Sequence, residues 1–282
     1  MAPNAIQNNV PSMIALRMIG VHQTFLARSM ERLATGFRVN RGADDPAGMI
    51  SSQVLSAELA SLDAEGRAAE RSDALASVAD GALGEISDLL DEANTAAIAN
   101  ANTAGLSDAE RDANQLAIDS AMNAVDRIAS TTSFNGQRLF DGSAFLQSGS
   151  EVMSIDRLST TTMGAVEVDG EDYTLADVRS GQALDTANGN AAGAQAAIAS
   201  ASSQVASMRG SIGAFQKNTI DSFVRSVDIG YENLASALSI IRDTDFGFET
   251  AELSRQSVLR ESSFRSAMTA NNNAWGVLGL LS

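Results

Sequence analysis

Ile198, Val205, Met208, Ile212 and Phe215 stand seven, three, four and three positions apart, and Tyr231, Leu234, Leu238 and Ile241 continue in steps of three and four. This is the seam of a helical coiled coil, and with a break near 219–227 it runs for about 50 residues, roughly 75 Å at 1.5 Å per residue. A chain that gives so much length to one narrow stripe cannot close it into a thick globular core. Of the 282 residues only 5% are aromatic, and Trp275 is the sole tryptophan, so thin helical packing is the expectation.

The rest of the chain repeats the theme. Leu16, Ile19, Leu26, Met30, Leu33 and Phe37 give an amphipathic stripe that should stop near 40–42. The run Arg41-Gly-Ala-Asp-Asp-Pro46 reads as a loop, with Asp44 or Asp45 as N-cap and Pro46 as the first residue of the next helix. That second helix carries Leu55, Leu59, Leu62, Val78, Ala82, Ile86, Leu89 and Ala93. Gly66, Gly81 and Gly84 each weaken it by about 1 kcal/mol relative to alanine, so tertiary contacts must hold it. A polar turn at 100–107 ends in a Ser107/Glu110 capping box, and a third helix follows with Leu116, Val125 and Ile128 inward. Asn135-Gly136 between apolar flanks signals a tight hairpin, and 141–178, broken by Gly142, Gly149, Gly164 and Gly170, suggests short strands. A last helix, capped by Asp243 or Asp245, presents Leu253, Leu259, Phe264 and Met268 before the apolar tail from Trp275 through Leu278 to Leu281.

The expected fold is therefore mainly α: a long antiparallel helical coiled-coil rod with a small β-hairpin/β insert and terminal arms that pair. Five segments follow: 1–42, an N-terminal helical arm; 43–140, helices ending in a hairpin; 141–189, a short β or irregular insert; 190–242, the returning helix; and 243–282, the C-terminal arm.

Composition removes most functional classes. There are 35 acidic against 19 basic residues, a net charge of −16, which argues against nucleic acid as a partner. The charge is uneven: 1–41 hold five arginines and one glutamate, whereas 42–100 hold twelve acids and two arginines. With no cysteine there are no disulfides, thiolate metal sites or cysteine nucleophiles, and His22, alone, provides no paired imidazoles. Asp44-Asp45 reads as helix capping rather than a catalytic pair, and Asp88, Asp91 and Glu92 lack the spacing of a calcium loop. No nucleophile elbow, phosphate loop or zinc motif is present. No catalytic, cofactor-binding or metal-ligating residue is expected, and no cofactor.

The apolar stretch 13–21 is about nine residues long and contains Arg17, too short for a membrane span of roughly 20 residues, and it does not read as a cleaved leader. No membrane insertion is expected. The chain looks cytoplasmic unless it leaves the cell by a route that cleaves no leader. Yet both ends expose large apolar side chains that a monomer would ordinarily hide. A lipid surface would need a basic polar face, which 243–282, with five acids and three arginines, lacks. Packing against further copies is the better reading.

Three stretches carry a family resemblance. Glu31-Arg-Leu-Ala-Thr-Gly-Phe-Arg-Val-Asn-Arg-Gly-Ala-Asp-Asp-Pro-Ala-Gly48 is similar to the E-R-L-S-S-G-L-R-I-N-x-A-x-D-D-A-A-G signature of bacterial flagellins. Asp126-Arg-Ile-Ala-Ser-Thr-Thr-Ser-Phe-Asn-Gly-Gln-Arg-Leu139 resembles their D-R-I-x-x-x-T-x-F-N-G-x-x-L element. Glu249-Thr-Ala-Glu-Leu-Ser-Arg255, Ala270-Asn271 and Val277-Leu-Gly-Leu-Leu281 resemble E-T-A-x-L-x-R, A-N and V-L-x-L-L. The resemblance implies a structural, non-enzymatic subunit of the extracellular flagellar filament, a motility organelle, exported unfolded by the flagellar type III apparatus. It implies an inner tube built from the 1–42 and 243–282 arms and an outer tube from 43–140 and 190–242, with 141–189 as the variable insert. Implied partners are other copies of the chain, hook-junction and filament-cap proteins and an export chaperone. A hook–filament junction protein of the same superfamily is the nearest alternative. Subunit packing is expected through Leu16, Ile19, Leu26, Met30, Leu33, Phe37, Leu253, Leu259, Phe264, Met268, Trp275, Leu278 and Leu281, with Arg32 and Arg38 meeting acids of neighbouring subunits. Asp44, Asp45, Asn135 and Gly136 are expected to set loop and hairpin geometry.

Overall fold

The computed structural model describes residues 8–102, 105–168 and 170–279. Six helices carry the fold: α1 Val10–Thr35, α2 Pro46–Ala101, α3 Asp108–Thr131, α4 Ala191–Phe215, α5 Asp221–Arg242 and α6 Phe246–Gly279. Between α3 and α4 lie three antiparallel two-stranded hairpins: β1 Ser133–Phe134 with β2 Gln137–Arg138, β3 Phe145–Ser148 with β4 Glu151–Ser154, and β5 Val166–Val168 with β6 Glu171–Tyr173. The chain forms two compact units, one from Met1–Ala60 with Tyr231–Ser282, the other Ser61–Gly230. The loops at which the sequence suggested divisions, near 42 and 243, both fall inside the first unit, where Phe37 and Asp243 pair. Among the described residues no helix is long and apolar enough to cross a membrane.

The larger unit is an alanine-rich three-helix coil. In α2 the seam buries Ala76, Ala79, Leu83, Ile86, Leu90, Ala93 and Ala97, alternating in steps of three and four. In α3 the buried positions include Gln115, Ile118, Met122, Val125 and Ala129, and in α4 Ala194, Ile198, Ala201, Val205 and Ile212. Such spacing keeps one seam facing its partners along the whole coil. Alanine is small enough to let backbones approach closely, but a search for bulky residues passes over it. Val78 and Leu116 therefore face solvent, one position off seams that Ala79 and Gln115 occupy. α4 runs antiparallel to α2: Gln195 donates to the Ala97 carbonyl at 3.4 Å, Arg209 meets Asp80 at 2.8 Å, and Gln216 Nε2 meets Asp73 Oδ1 at 2.9 Å. The break in the α4/α5 stripe is a single π-helical turn, Gln216–Ile220, which shifts the register without ending the helix.

Local signals explain the ends of the elements. α1 stops at Thr35, five residues before the expected point, because Gly36 adopts the left-handed conformation (φ 74°) and returns its N–H to the Arg32 carbonyl. Asp45 caps α2, its Oδ1 accepting the Gly48 N–H at 2.9 Å, with Pro46 as the first helical residue. Asp245 does the same for α6 through the Phe248 N–H at 3.0 Å. Ser107 and Glu110 form a reciprocal box at the start of α3, and hydrogen bonds from the Ser107 backbone and then its side chain hold the Glu110 carboxyl below its ordinary range. Asn135 (φ 50°) and Gly136 (φ 82°) form the two-residue turn of β1–β2, both with the positive φ such a turn demands.

The segment that carries the third hairpin is fastened by polar side chains. Asp126 accepts the Thr160 N–H at 2.9 Å, the Thr160 hydroxyl at 2.8 Å and Arg179 Nη2 at 2.6 Å. At the other end of α3, the buried Thr186 donates its N–H and hydroxyl to Gln115 Oε1 at 2.9 and 2.6 Å, and accepts from Asn100 Nδ2 at 2.7 Å. Buried groups left unpaired cost about 1–3 kcal/mol each, so these paired groups fix where 159–186 docks.

Two glycines separate close packing from free space. A Cβ on Gly164 (φ 71°) would lie 2.7 Å from the Ala197 carbonyl oxygen, whereas one on Gly81, inside α2, meets nothing within 4 Å. Gly164→Ala is expected to destabilise the protein by more than about 1 kcal/mol, and Gly81→Ala to stabilise it by roughly 0.5–1 kcal/mol. Urea unfolding of both variants checks this, and shifts of the same sign would contradict it.

Candidate assembly surface

In the first unit α1 lies antiparallel against α6, and polar contacts mark the register along their length. Asn9 Nδ2 donates to the Ala270 carbonyl at 3.0 Å and to Asn271 Oδ1 at 3.2 Å. Thirteen positions further along α1, His22 Nδ1 meets Gln256 Oε1 at 2.7 Å. Arg32 then approaches Glu249 at 3.5 Å. Beyond α1, the Thr244 N–H donates to the Gly36 carbonyl at 2.9 Å, the Arg38 N–H to the Arg242 carbonyl at 2.6 Å, and the Arg242 guanidinium stacks 3.8 Å over Phe37. As the contacts advance along α1 they retreat along α6, as an antiparallel pair requires.

The residues at this seam are small or polar. Ser12, Ala15, Leu26 and Ser29 are buried on α1, and Glu249, Gln256 and Ala267 on α6. Positions 12, 15, 19, 22, 26, 29 and 33 alternate in steps of three and four, a heptad in which only Ile19, Leu26 and Leu33 are large aliphatics. Leu26 is buried, whereas Ile19, Leu33, Phe37 and Leu253 are half-buried. Leu16, Met30, Leu259, Phe264, Met268 and Trp275 are exposed, Trp275 to 73%. Val10, Met13, Ile14, Val21, Phe25, Phe246, Phe248 and Val258 join them. The Leu278 side chain and Leu281 lie outside the described residues. The pair thus buries its small residues and displays its large ones, the reverse of a helix pair built to be stable alone.

The named arginines meet groups of their own chain. Arg32 faces Glu249, and Arg38 Nη2, exposed, donates to the Ile241 carbonyl at 2.6 Å. Asp44 accepts the Arg41 N–H at 3.2 Å and lies 3.6 Å from Arg28, so the 41–45 loop is tied back to α1. Sequence reasoning missed the His22–Gln256 and Asn9–Asn271 contacts, because a stripe sought among apolar residues skips polar positions at the same spacing.

Gln256 Nε2 donates to Glu252 Oε1 at 2.7 Å, which leaves Gln256 Oε1 as an acceptor and assigns the hydrogen to His22 Nδ1. Arg255, first, and then Gln256 hold the Glu252 carboxyl below its ordinary range by hydrogen bonding. The stability this lends is fully present above the ordinary value of 4.5 and is lost as pH falls through the lowered one.

Chemical alternatives find no support in the geometry. Among the described residues no group of three or more His, Asp and Glu is placed to hold a metal ion. A cleft of about 450 Å³ in the larger unit is lined by Leu75, Phe134, Phe145 and Phe223, with Glu65 and Arg71 as its charged residues. Its Ser72 hydroxyl is engaged with the Gln147 carbonyl at 2.6 Å, and no histidine stands by to activate it.

Known proteins place this arrangement. Residues 6–144 match the bacterial flagellin N-terminal helical region, and residues 195–281 the bacterial flagellin C-terminal helical region. The chain belongs to the bacterial flagellin family. The matches cover both halves of the α1/α6 pair and stop at the β3–β6 hairpins, which neither includes. The chain is 29% identical to the flagellar filament 30.7 kDa core protein of Treponema maltophilum over 98% of its own length and 99% of that relative. It is likewise 29% identical to a flagellin of Halalkalibacterium halodurans and 26% identical to one of Bacillus subtilis, each over 98% of its length and 99% of the relative. This is a family of structural filament subunits, not of enzymes.

The seam contact between His22 and Gln256 is testable. Gln256→Leu, which strips His22 of its partner, is expected to cost about 1–3 kcal/mol, whereas His22→Leu with Gln256→Leu together recover most of the loss. Thermal unfolding of the single and double variants measures it, and a double variant no better than the single one would count against the pairing.

Proposed function

We propose that the chain polymerises into the flagellar filament outside the cell and serves motility, reaching its place unfolded through the flagellar type III export apparatus. The observation that carries this reading is the inverted α1/α6 pair, whose seam is small and polar while its large apolar side chains face solvent. Neighbouring copies complete that core. Leu16, Met30, Leu259, Phe264, Met268 and Trp275 are assigned to contacts between subunits, while Ile19, Leu26, Leu33, Phe37 and Leu253 hold the pair itself. Leu278 and Leu281 are assigned to the same packing from the sequence. Arg32 orders the seam, and Arg38 remains accessible to an acid of a neighbour.

The same features support export and its helpers. A seam with few large buried side chains costs little to open, which suits passage as an unfolded chain. An export chaperone has exposed apolar surface to cover on α6, and hook-junction and filament-cap proteins are the expected partners at the two ends of the polymer.

Leu16 is exposed, so Leu16→Asp is expected to leave the subunit's helical content and its stability within about 0.5 kcal/mol of the parent. It is expected to abolish filament formation, as seen by electron microscopy and sedimentation. Normal filaments from this variant, or from a chain lacking 270–282, would overturn the assignment of these arms to assembly.

A further inference from the structure

We infer that Met13, Met30 and Met268 are separate points of oxidation that together control whether a free subunit is competent to assemble; this rests on the assembly reading above. The chain holds ten methionines and no cysteine, so its thioethers are its only sulfur groups and no thiol intercepts a peroxide first. Their exposure is graded, with Met18, Met49, Met153 and Met208 half-buried between the extremes. Met13, Met30 and Met268 are 64%, 57% and 52% exposed, whereas Met122 and Met163, in the core of the larger unit, are 0% and 2% exposed. Among the described residues these three exposed thioethers belong to the unit of α1 and α6, and all three lie off the seam that those helices bury.

The chemistry is an oxygen-atom transfer. The thioether sulfur attacks one oxygen of hydrogen peroxide, the O–O bond breaks, a sulfur–oxygen bond forms and one water leaves. Sulfur loses two electrons, the peroxide gains them, and the protons stay with the departing water. A flexible apolar side chain becomes a polar, chiral sulfoxide. On a surface that also presents Leu16, Phe264 and Trp275, that change introduces a polar group which no longer prefers burial. Packing in the polymer covers the same three sulfurs, so the free subunit is the sensitive form and the filament the protected one.

The test treats free subunit with dilute hydrogen peroxide, maps sulfoxides by peptide mass spectrometry and follows polymerisation by light scattering. Oxidation is expected first at Met13, Met30 and Met268, with Met122 and Met163 unmodified, and elongation is expected to fall by about tenfold or more. Methionine sulfoxide reductases with a thiol reductant are expected to restore it. The triple variant Met13→Leu, Met30→Leu, Met268→Leu keeps size and apolarity, and is expected to assemble as the parent does and to continue after peroxide treatment. If oxidised parent subunit elongates at the untreated rate, or the triple variant is inhibited equally, this inference falls while the assembly reading stands. If neither untreated protein assembles, the assembly reading falls and takes this inference with it.

Discussion

The pairing of α1 with α6 is the interaction on which the rest depends. Its seam is drawn from serine, alanine, histidine, glutamine and glutamate, with Leu26 as the one large aliphatic buried on α1. Small and polar side chains bring little hydrophobic stabilisation, about 25 cal/mol per Å² of apolar area, and they have little such area to bury. They do bring register. Asn9 with Ala270 and Asn271, His22 with Gln256, and Arg32 with Glu249 are paired in this alignment. A slip of one turn would break these contacts together. The pair is thereby aligned by polar contacts and left short of apolar burial, a shortage that its exposed leucine, methionine, phenylalanine and tryptophan side chains supply to neighbours.

The larger unit solves the opposite problem. Ala76, Ala79, Leu83, Ile86, Leu90, Ala93 and Ala97 are all essentially inaccessible, and matching residues of α3 and α4 close around them. Alternating alanine with leucine and isoleucine gives a narrow but complete core, so few residues of this unit need a second chain. Gln115, Asn100 and Thr186 are polar exceptions that bond one another. One chain thus joins a finished coil to an unfinished helix pair.

Much of this was legible in the residues. Heptad steps marked α4 and α5, Asn135-Gly136 marked the hairpin, the Ser107/Glu110 spacing marked the start of α3, and Asp45-Pro46 marked that of α2, since each signal is local and self-contained. The spacing places Ile86 and Ala93 of α2 and Val125 of α3 on buried seams but falls one position off at Val78 and Leu116, because alanine and glutamine hold those buried positions and hydrophobic pattern alone gives them no weight. The end of α1 was read late because Gly36 ends the helix through its backbone conformation, before the apolar spacing does so at Phe37. Most elusive was the α1/α6 seam. Its polar contacts join residues more than two hundred positions apart, and nothing in the spacing of either helix names its partner.

Trp275 makes the central claim directly measurable. It is the sole tryptophan and 73% exposed on α6, so intrinsic fluorescence reports on this surface alone. Acrylamide quenching and emission wavelength compared between free subunit and polymer test whether neighbouring copies complete the α1/α6 surface. The account predicts red-shifted, readily quenched emission from the subunit and blue-shifted, protected emission from the polymer. Emission from the polymer as red-shifted and as readily quenched as that of the free subunit would contradict it.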